Sequence, residues 1–353
     1  MSRLTKLRTK MTSEKFDAFL CMRPENRRYL SGFTGSAGML LITQDQAFLL
    51  TDFRYLEQAA AQAPEFQVVK IGNEPFKTLA ELDQGIEVLG FEGDFVTFEE
   101  YGKLEQNFAR TRLVSRPELV NHLRSVKEPS EIELIREAVR IADDAFSEIL
   151  QFISVGQTEA EIALHLEFSM RQAGASGPSF DFIAASGWRS AMPHGVASSK
   201  KVQQGEFLTL DYGAIYQGYC SDITRTVCLG EPDEKQRALY DTVLAANRAG
   251  IAAVRPGLTG KEVDAAARKL IEDAGYGEYF GHGLGHSVGL AIHEGPNLSP
   301  REERVLEPGM VVTVEPGIYL PDYGGVRIED MVLVTEQGCE VLTKAPKDLI
   351  IIN

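Results

Sequence analysis

The feature that most constrains this chain is a repeat inside its C-terminal two thirds. Gly156-Gln-Thr158-Glu-Ala-Glu161 leads into a helical stretch ending at Ala173-Gly174. Gly257-Leu-Thr259-Gly-Lys-Glu262 leads into another ending at Ala274-Gly275, at an offset of 101 positions. Each stretch opens with a Thr-x-x-Glu capping box and closes on a glycine suited to a helix C-cap. A turn glycine and a β-rich run follow in both halves. Gly205-Glu-Phe-Leu-Thr-Leu-Asp211 matches Gly309-Met-Val-Val-Thr-Val-Glu315 at an offset of 104, and a further pair of acids, Asp222 and Glu329, follows at an offset of 107. One such match could be chance; a helix cap and two acids in register in both halves indicate a duplicated unit. The spacing predicts an α/β (α+β) domain with a pseudo-twofold axis, near which the four acids meet.

A chain of 353 residues holds about two domains at roughly 150 residues each. The stretch Arg124–Glu133 marks the boundary. Pro129 disfavours helix at the residue before it, and Ser130 and Glu133 read as a capping box. Ile132, Ile135, Val139, Ala142, Phe146 and Ile149 follow at helical spacing. Residues 1–124 are therefore read as a small mixed α/β domain and residues 125–353 as a second, larger domain. Within the first, Ala37–Thr43 and Ala47–Thr51 suggest a hairpin, Phe53–Ala63 a helix, and Val68–Ile71 and Glu87–Phe91 strands. Gly32, Gly35 and Gly38 match neither a P-loop nor GxGxxG and read as turn glycines.

Composition excludes several classes. Apolar residues at 44% and charged residues at 25% are ordinary for a globular protein. Lys plus Arg is 36 against 51 for Asp plus Glu, a net charge of −15, which disfavours nucleic acid and anionic membrane as partners. No run approaches the roughly 20 apolar residues of a membrane-spanning helix, and the basic N-terminus lacks the apolar core of a signal peptide. Cys21, Cys220, Cys228 and Cys339 form no CxxC pair. They read as reduced thiols of a cytoplasmic protein, with Cys220 and Cys228 packed in strands.

The acids carry the chemistry. Phe207–Ile215 and Tyr219–Val227 read as a hairpin around Tyr216–Gly218, and a turn centred between Tyr216 and Gln217 sets Asp211 opposite Asp222. Glu315 ends the apolar run Val311–Val314, and Pro316 stops the strand. Alternation through Val326-Arg327-Ile328-Glu329 puts Arg327 and Glu329 on one face. A single strand-end acid is usually a solvated rim residue. Four that converge repel one another, each pair at about 4 Å costing roughly 4 kcal/mol at an effective dielectric near 20. Two divalent cations offset four carboxylates, and bridging carboxylates suit ions about 3.5–4 Å apart.

Of six histidines, His122 and His165 lie in helical stretches and read as structural or solvated. His194, His282, His286 and His293 sit in glycine-rich or turn contexts, where the backbone can approach a site closely. The spacing of His282 and His286 imitates HExxH. Gly283 and Gly285 are poor helix formers and no Glu follows His282, so a helical zinc-protease motif is rejected.

The segments LDYGAIYQGYCSDITRT, GHGLGHSVGL, VTVEPGIY and GGVRIED resemble those of the metal-dependent pita-bread peptidases, metallopeptidase family M24. Within it they resemble the aminopeptidase P and prolidase branch, across essentially the whole chain. The resemblance implies a creatinase/prolidase-like domain at 1–124 and a pseudo-twofold pita-bread catalytic domain at 125–353. It implies two divalent ions, manganese first, with cobalt, iron or zinc as alternatives. Their ligands would be Asp211, Asp222, His286, Glu315 and Glu329. Glu315 would also relay a proton. His194 and His293 would contact the scissile carbonyl and the tetrahedral intermediate. His282 would help form a proline pocket, and Arg327 would orient the carboxylates. A homodimer is implied, in which N-terminal segments such as Asn26–Tyr29 and Ser31–Phe33 are candidate contact loops.

The activity implied is hydrolysis of the bond between a residue and a following proline. Prolidases of this branch can carry an arginine directly after the His-Glu-x-Pro stretch, where it can hold a dipeptide's carboxylate; here Asn297 follows His293-Glu-Gly-Pro296. The sequence therefore reads as an Xaa-Pro aminopeptidase that also accepts dipeptides. The alternative is a strict Xaa-Pro dipeptidase (prolidase), and a third reading is a non-catalytic peptide-binding scaffold. Residues 1–124 count against a methionine aminopeptidase, and the complete ligand set counts against a metal-free creatine amidinohydrolase-like enzyme.

Overall fold

Short apolar runs alternating with helices build the first part of the chain into a covered mixed sheet. A computed structural model describes residues 1–82 and 85–353, which fall into two units, Met1–Arg124 and Ser125–Asn353. The first unit runs α1 (Arg3–Glu14), β1 (Ala18–Cys21), α2 (Pro24–Ser31), β2 (Met39–Thr43), β3 (Ala47–Thr51), α3 (Leu56–Gln62), β4 (Gln67–Lys70), α4 (Pro75–Ala80), β5 (Val88–Phe91), α5 (Phe98–Asn107), β6 (Arg112–Ser115) and α6 (Leu119–Ser125). Its sheet has the order β4-β3-β2-β1-β5-β6. The central strands are buried on both faces, which is why they read as unbroken apolar runs rather than alternating ones.

One expectation fails in this unit. Asn26, Arg27 and Tyr29 are not a contact loop; they lie on α2 and, with Ser31 and Phe33, are buried. The cause is Glu92, whose carboxylate is fully buried and must find donors. Asn26 Nδ2 supplies one at 2.6 Å, and the backbone N–H groups of Met22 and Arg23 supply two more at 2.6 and 2.7 Å. Arg27 donates to the carbonyls of Gly35 and Gly38, each at 2.6 Å. These side chains organise their own unit.

The second unit is two copies of one pattern. The first copy is α7 (Pro129–Phe152), α8 (Glu159–Gln172), β7 (Gly177–Pro178), β8 (Ile183–Ser186), β9 (Phe207–Tyr212), β10 (Ala214–Tyr216), β11 (Tyr219–Cys220) and β12 (Ile223–Leu229). The second is α9 (Glu234–Ala253), α10 (Gly260–Asp273), β13 (Gly285–Ser287), β14 (Glu294–Leu298), β15 (Val311–Val314), β16 (Gly317–Leu320), β17 (Gly324–Arg327) and β18 (Asp330–Val334), followed by β19 (Cys339–Val341) and β20 (Ile351–Ile352). The sheets have the orders β20-β12-β9-β8 and β14-β13-β15-β18-β19. Each helix pair buries its apolar stripe on its own sheet: Ala142, Phe146, Ile149 and Leu166 against Leu208, Leu210 and Val227 in the first copy, and Leu239, Val243, Ala267 and Ile271 against Val312, Val314 and Val332 in the second.

Both Thr-x-x-Glu boxes form as spacing predicts, with the threonine hydroxyls accepting from Glu161 N at 3.1 Å and Glu262 N at 3.2 Å. Gly174 and Gly275 take φ of +105° and +85° beyond the helix ends. The start of α7 differs from expectation. Its N-cap is Glu128 with Pro129 at the first helical position, and Glu131 reaches back to Glu128 N at 2.9 Å. Ser130 and Glu133 therefore do not form the cap, because proline is itself pre-organised for the first helical position. All four cysteines are free thiols. No described helix is long and apolar enough to cross a membrane.

Candidate active site

Each copy breaks its β-ribbon twice, and an acid sits at each break. Asp211 is near the end of β9 and Asp222 directly before β12. Glu315 directly follows β15 and Glu329 directly precedes β18. The hairpin register differs by one step from expectation. Tyr216 pairs with Tyr219 and Asp211 with Thr224, not with Asp222. Gln217 and Gly218 form a two-residue turn with φ of +43° and +79°, the geometry that matches strand twist in tight hairpins. Moving the turn centre by one position moves each partner by two, so Asp222 stays on the same face as Asp211.

Carboxylate oxygens of Asp211, Asp222 and Glu329 lie within 4.8 Å of one another. His286, on β13, reaches the same point: its Nε2 is 3.5 Å from Asp222 Oδ2 and 3.5 Å from Glu315 Oε1. Thr313 joins the last two residues, accepting from His286 N at 3.0 Å and donating to Glu315 Oε1 at 3.2 Å. Thr224 ties the copies together. It donates to Glu329 Oε2 at 2.8 Å and accepts from Arg327 Nε at 3.0 Å. Arg327 also pairs with Asp211 Oδ2 at 2.6 Å. The cluster floors a cavity of about 1190 Å³ that His194, His282 and His293 also line.

The electrostatics are those of buried carboxyl groups crowded around one guanidinium. Burial, and then Glu329 and Asp211, push Asp222 well above the carboxylate range. Burial, and then Glu315 and Asp211, do the same to Glu329. Glu315 is pushed up to about 7, by burial first and Asp211 among the neighbours. Asp211 Oδ1 and Glu329 Oε1 are buried with no hydrogen-bond partner, a costly state for an oxygen unless a cation meets it. His286 adds to the case. Its Nδ1 faces the Ser287 carbonyl at 3.1 Å and so carries the proton, and burial lowers its pKa. The neutral ring then points a lone pair at two carboxylates. Orphaned oxygens and an imidazole lone pair converging on one point fit a divalent-cation centre.

His282 heads a separate chain. Its Nδ1 is 2.7 Å from the Gly283 carbonyl and its Nε2 is 2.8 Å from Tyr319 Oη, which accepts from Arg327 Nη1 at 2.8 Å. Burial lowers the His282 pKa to about 4. A neutral ring that donates from Nδ1 must accept at Nε2, so the Tyr319 hydroxyl donates to it. The His293 ring stands edge-on to that of His286, with centroids 4.5 Å apart. His122 and His165 lie away from the cavity, on α6 and α8, and His165 pairs with Glu148 at 3.1 Å.

Sequence reasoning gave no role to Thr224, Tyr319 or the braces of the histidine loops. Buried Glu159, at the start of α8, accepts from Ser186 N, Arg189 Nε and Ser198 N at 2.7, 2.9 and 3.1 Å, which spans the loop bearing His194. Buried Asp264, on α10, pairs with Arg268 and accepts from Leu284 N at 3.0 Å. Arg268 in turn holds the carbonyls of Phe280 and His282. One available signal was that Glu159 and Gly260 occupy the same repeat position yet differ completely in type.

Residues 133–336 match the family model for metallopeptidase family M24. Residues 3–126 match that of the creatinase/prolidase N-terminal domain. The Xaa-Pro dipeptidase of Pyrococcus furiosus is 42% identical, with 99% of each chain covered. A solved Xaa-Pro dipeptidase from Bacillus anthracis superposes with a TM-score of 0.97 at 48% identity over 99% of each chain. A solved X-Pro aminopeptidase from Thermotoga maritima superposes at 0.91 with 41% identity over the full length of both.

Proposed function

The chain belongs to metallopeptidase family M24, with a pita-bread catalytic fold, and from that premise we propose that it is an Xaa-Pro dipeptidase. The sequence put cleavage of longer peptides first. The named likenesses to dipeptidases at 42% and 48% identity support the dipeptide reading better. The observation that carries the catalytic reading is the convergence of unpartnered carboxylate oxygens and the His286 lone pair at the floor of the main cavity.

In this proposal Asp211, Asp222, His286, Glu315 and Glu329 hold two divalent ions. When bound, such ions polarise a carbonyl and make water acidic enough to attack at neutral pH. Their oxygen-rich donor set favours manganese. Glu315 takes the attacking water's proton at a carboxylate oxygen and passes it to the leaving nitrogen. His293 and His194 bind the carbonyl oxygen as it gains charge. Arg327 aims the Asp211 carboxylate through their 2.6 Å contact. His282, held by Tyr319, forms a wall against which the prolyl ring packs. Proline's nitrogen carries no N–H, so a site that asks nothing of that atom and offers a ring-sized wall selects for it.

A second specificity, Xaa-Pro aminopeptidase, is supported by exposed Asn297 at the cavity edge and by the likeness to the Thermotoga protein. Manganese-loaded protein assayed on Ala-Pro and Ala-Pro-Ala separates the two. Turnover confined to Ala-Pro supports the dipeptidase, preference for the tripeptide supports the aminopeptidase, and turnover of neither overturns both.

A further inference from the structure

The β13–β14 ribbon carries two of the cavity's imidazoles, and the group that grips it is a buried ammonium. Ser287 and Glu294 pair across the ribbon, and each directly follows a histidine that lines the main cavity, His286 and His293. Their own side chains turn instead to Lys127. Its Nζ donates to Ser287 Oγ at 3.0 Å and to Glu294 Oε2 at 3.3 Å, and also to the Ser125 carbonyl at 3.3 Å. The side chains of Lys127 and Glu294 are only 1% and 7% exposed. The other Glu294 oxygen accepts from Ala291 N at 3.0 Å, within the loop that joins the two histidines. A Cβ at Gly289 would lie 2.8 Å from both Glu294 oxygens, so the loop passes that carboxylate only with glycine there. Ser287 Oγ donates onward to the Val311 carbonyl at 2.8 Å.

Lys127 is itself anchored through its backbone. Its N–H donates to the Gly309 carbonyl at 2.9 Å, and Val126 bridges to Met310 at the entry to β15. Stability is a poor account of such a pair. Taking two charges out of water costs about as much as their attraction returns, and apolar residues of similar size often fold as well in their place. Position is the better account. Among the described residues the His293 ring makes no hydrogen bond of its own and stands edge-on to His286, so the backbone at 293–294 sets where it lies. We propose that Lys127 is a positioning residue for the reaction: through Ser287 and Glu294 it holds His286 toward the ions and His293 toward the substrate carbonyl. The inference rests on the metallopeptidase reading above and adds to it the residue that sets where two of its imidazoles stand.

Two variants of the full chain test this. The first combines Lys127→Met with Glu294→Gln, so that no unpaired charge stays buried; the second, Ser287→Ala, removes only the grip beside His286. Calorimetric titration of the double variant should show manganese bound roughly ten-fold or more weakly, and kcat on Ala-Pro should fall by a similar factor while KM changes by less than about three-fold. Ser287→Ala should weaken manganese binding by about three-fold. In metal-free protein carrying isotope-labelled histidine, the ring signals of His286 and His293 should move in the double variant, and those of His122 and His165 should stay. A purely structural pair would lower Tm and leave manganese affinity, kcat per bound manganese and the ring signals as in the wild type. That result in the double variant, or in Ser287→Ala should the double variant not fold, overturns the proposal. Wild-type protein that binds manganese but leaves Ala-Pro uncleaved overturns the Xaa-Pro reading alone, because the affinities and ring signals still report on Lys127.

Discussion

The two copies in the catalytic unit share a scaffold and differ in what they hang on it. Both cap their second helix with a threonine, both end a strand at an acid, and both place a second acid before the returning strand. The first copy uses the shorter aspartates and the second the longer glutamates. At the strand beside the acids, the first has buried Ile183–Ser186 where the second has Gly285-His286-Ser287. Two positions before the second acid, the first has Cys220 and the second Arg327. Duplication thus supplies four carboxyl groups to one cavity. Divergence in one copy supplies the imidazole and guanidinium that make it usable.

That contrast can be broken experimentally. The largest expected effect is on the equivalent acids. Asp222→Asn and Glu329→Gln should each lower kcat/KM by roughly 10³-fold, since in the proposed centre each carboxylate would hold the ions and its loss would remove several kcal/mol of cation-derived stabilisation. Calorimetric titration with manganese should show weakened binding in both. Full activity in either variant would mean the copies do not contribute alike.

Next comes the asymmetric pair. Arg327→Met leaves Asp211 without its 2.6 Å partner and should cost on the order of 10- to 100-fold in activity or metal affinity. Cys220→Ser, at the equivalent place, should change activity by less than about three-fold, because that thiol serves packing. Equal losses would erase the distinction drawn between the copies.

The third effect is on stability against pH. In the metal-free protein Glu315 keeps its proton up to about pH 7, against an ordinary 4.5, and Asp222 and Glu329 are shifted the same way. Between those limits the folded state binds more protons than the unfolded one, so its stability falls as pH rises. Bound cations replace those protons. The Tm gap between manganese-loaded and metal-free protein should therefore widen from about pH 5 to about pH 8, by on the order of 5 °C. A gap that narrows with pH would show the carboxylates ionised in the metal-free fold.

The smallest effect tests the shared scaffold. Thr158→Ala and Thr259→Ala remove equivalent caps and should each cost about 1 kcal/mol in urea unfolding, with little change in activity. Values differing by more than about two-fold would show that tertiary packing, not the cap, decides one of them.

The sequence by itself determined what depends on neighbours along the chain. The capping boxes, the helix-ending glycines, the alternation that puts Arg327 beside Glu329 and the recurrence of acids at matched offsets are local, and local backbone preference is enough to express them. The tertiary structure decided what depends on segments distant in sequence. It set Asp211 against Thr224, because a tight turn needed positive φ at Gln217 and Gly218. It put Asn26 under the carboxylate of Glu92 and joined His282 to Arg327 through Tyr319. Such partnerships follow from strand register and from the need of each buried polar atom for a mate, and neither is written in spacing along one chain.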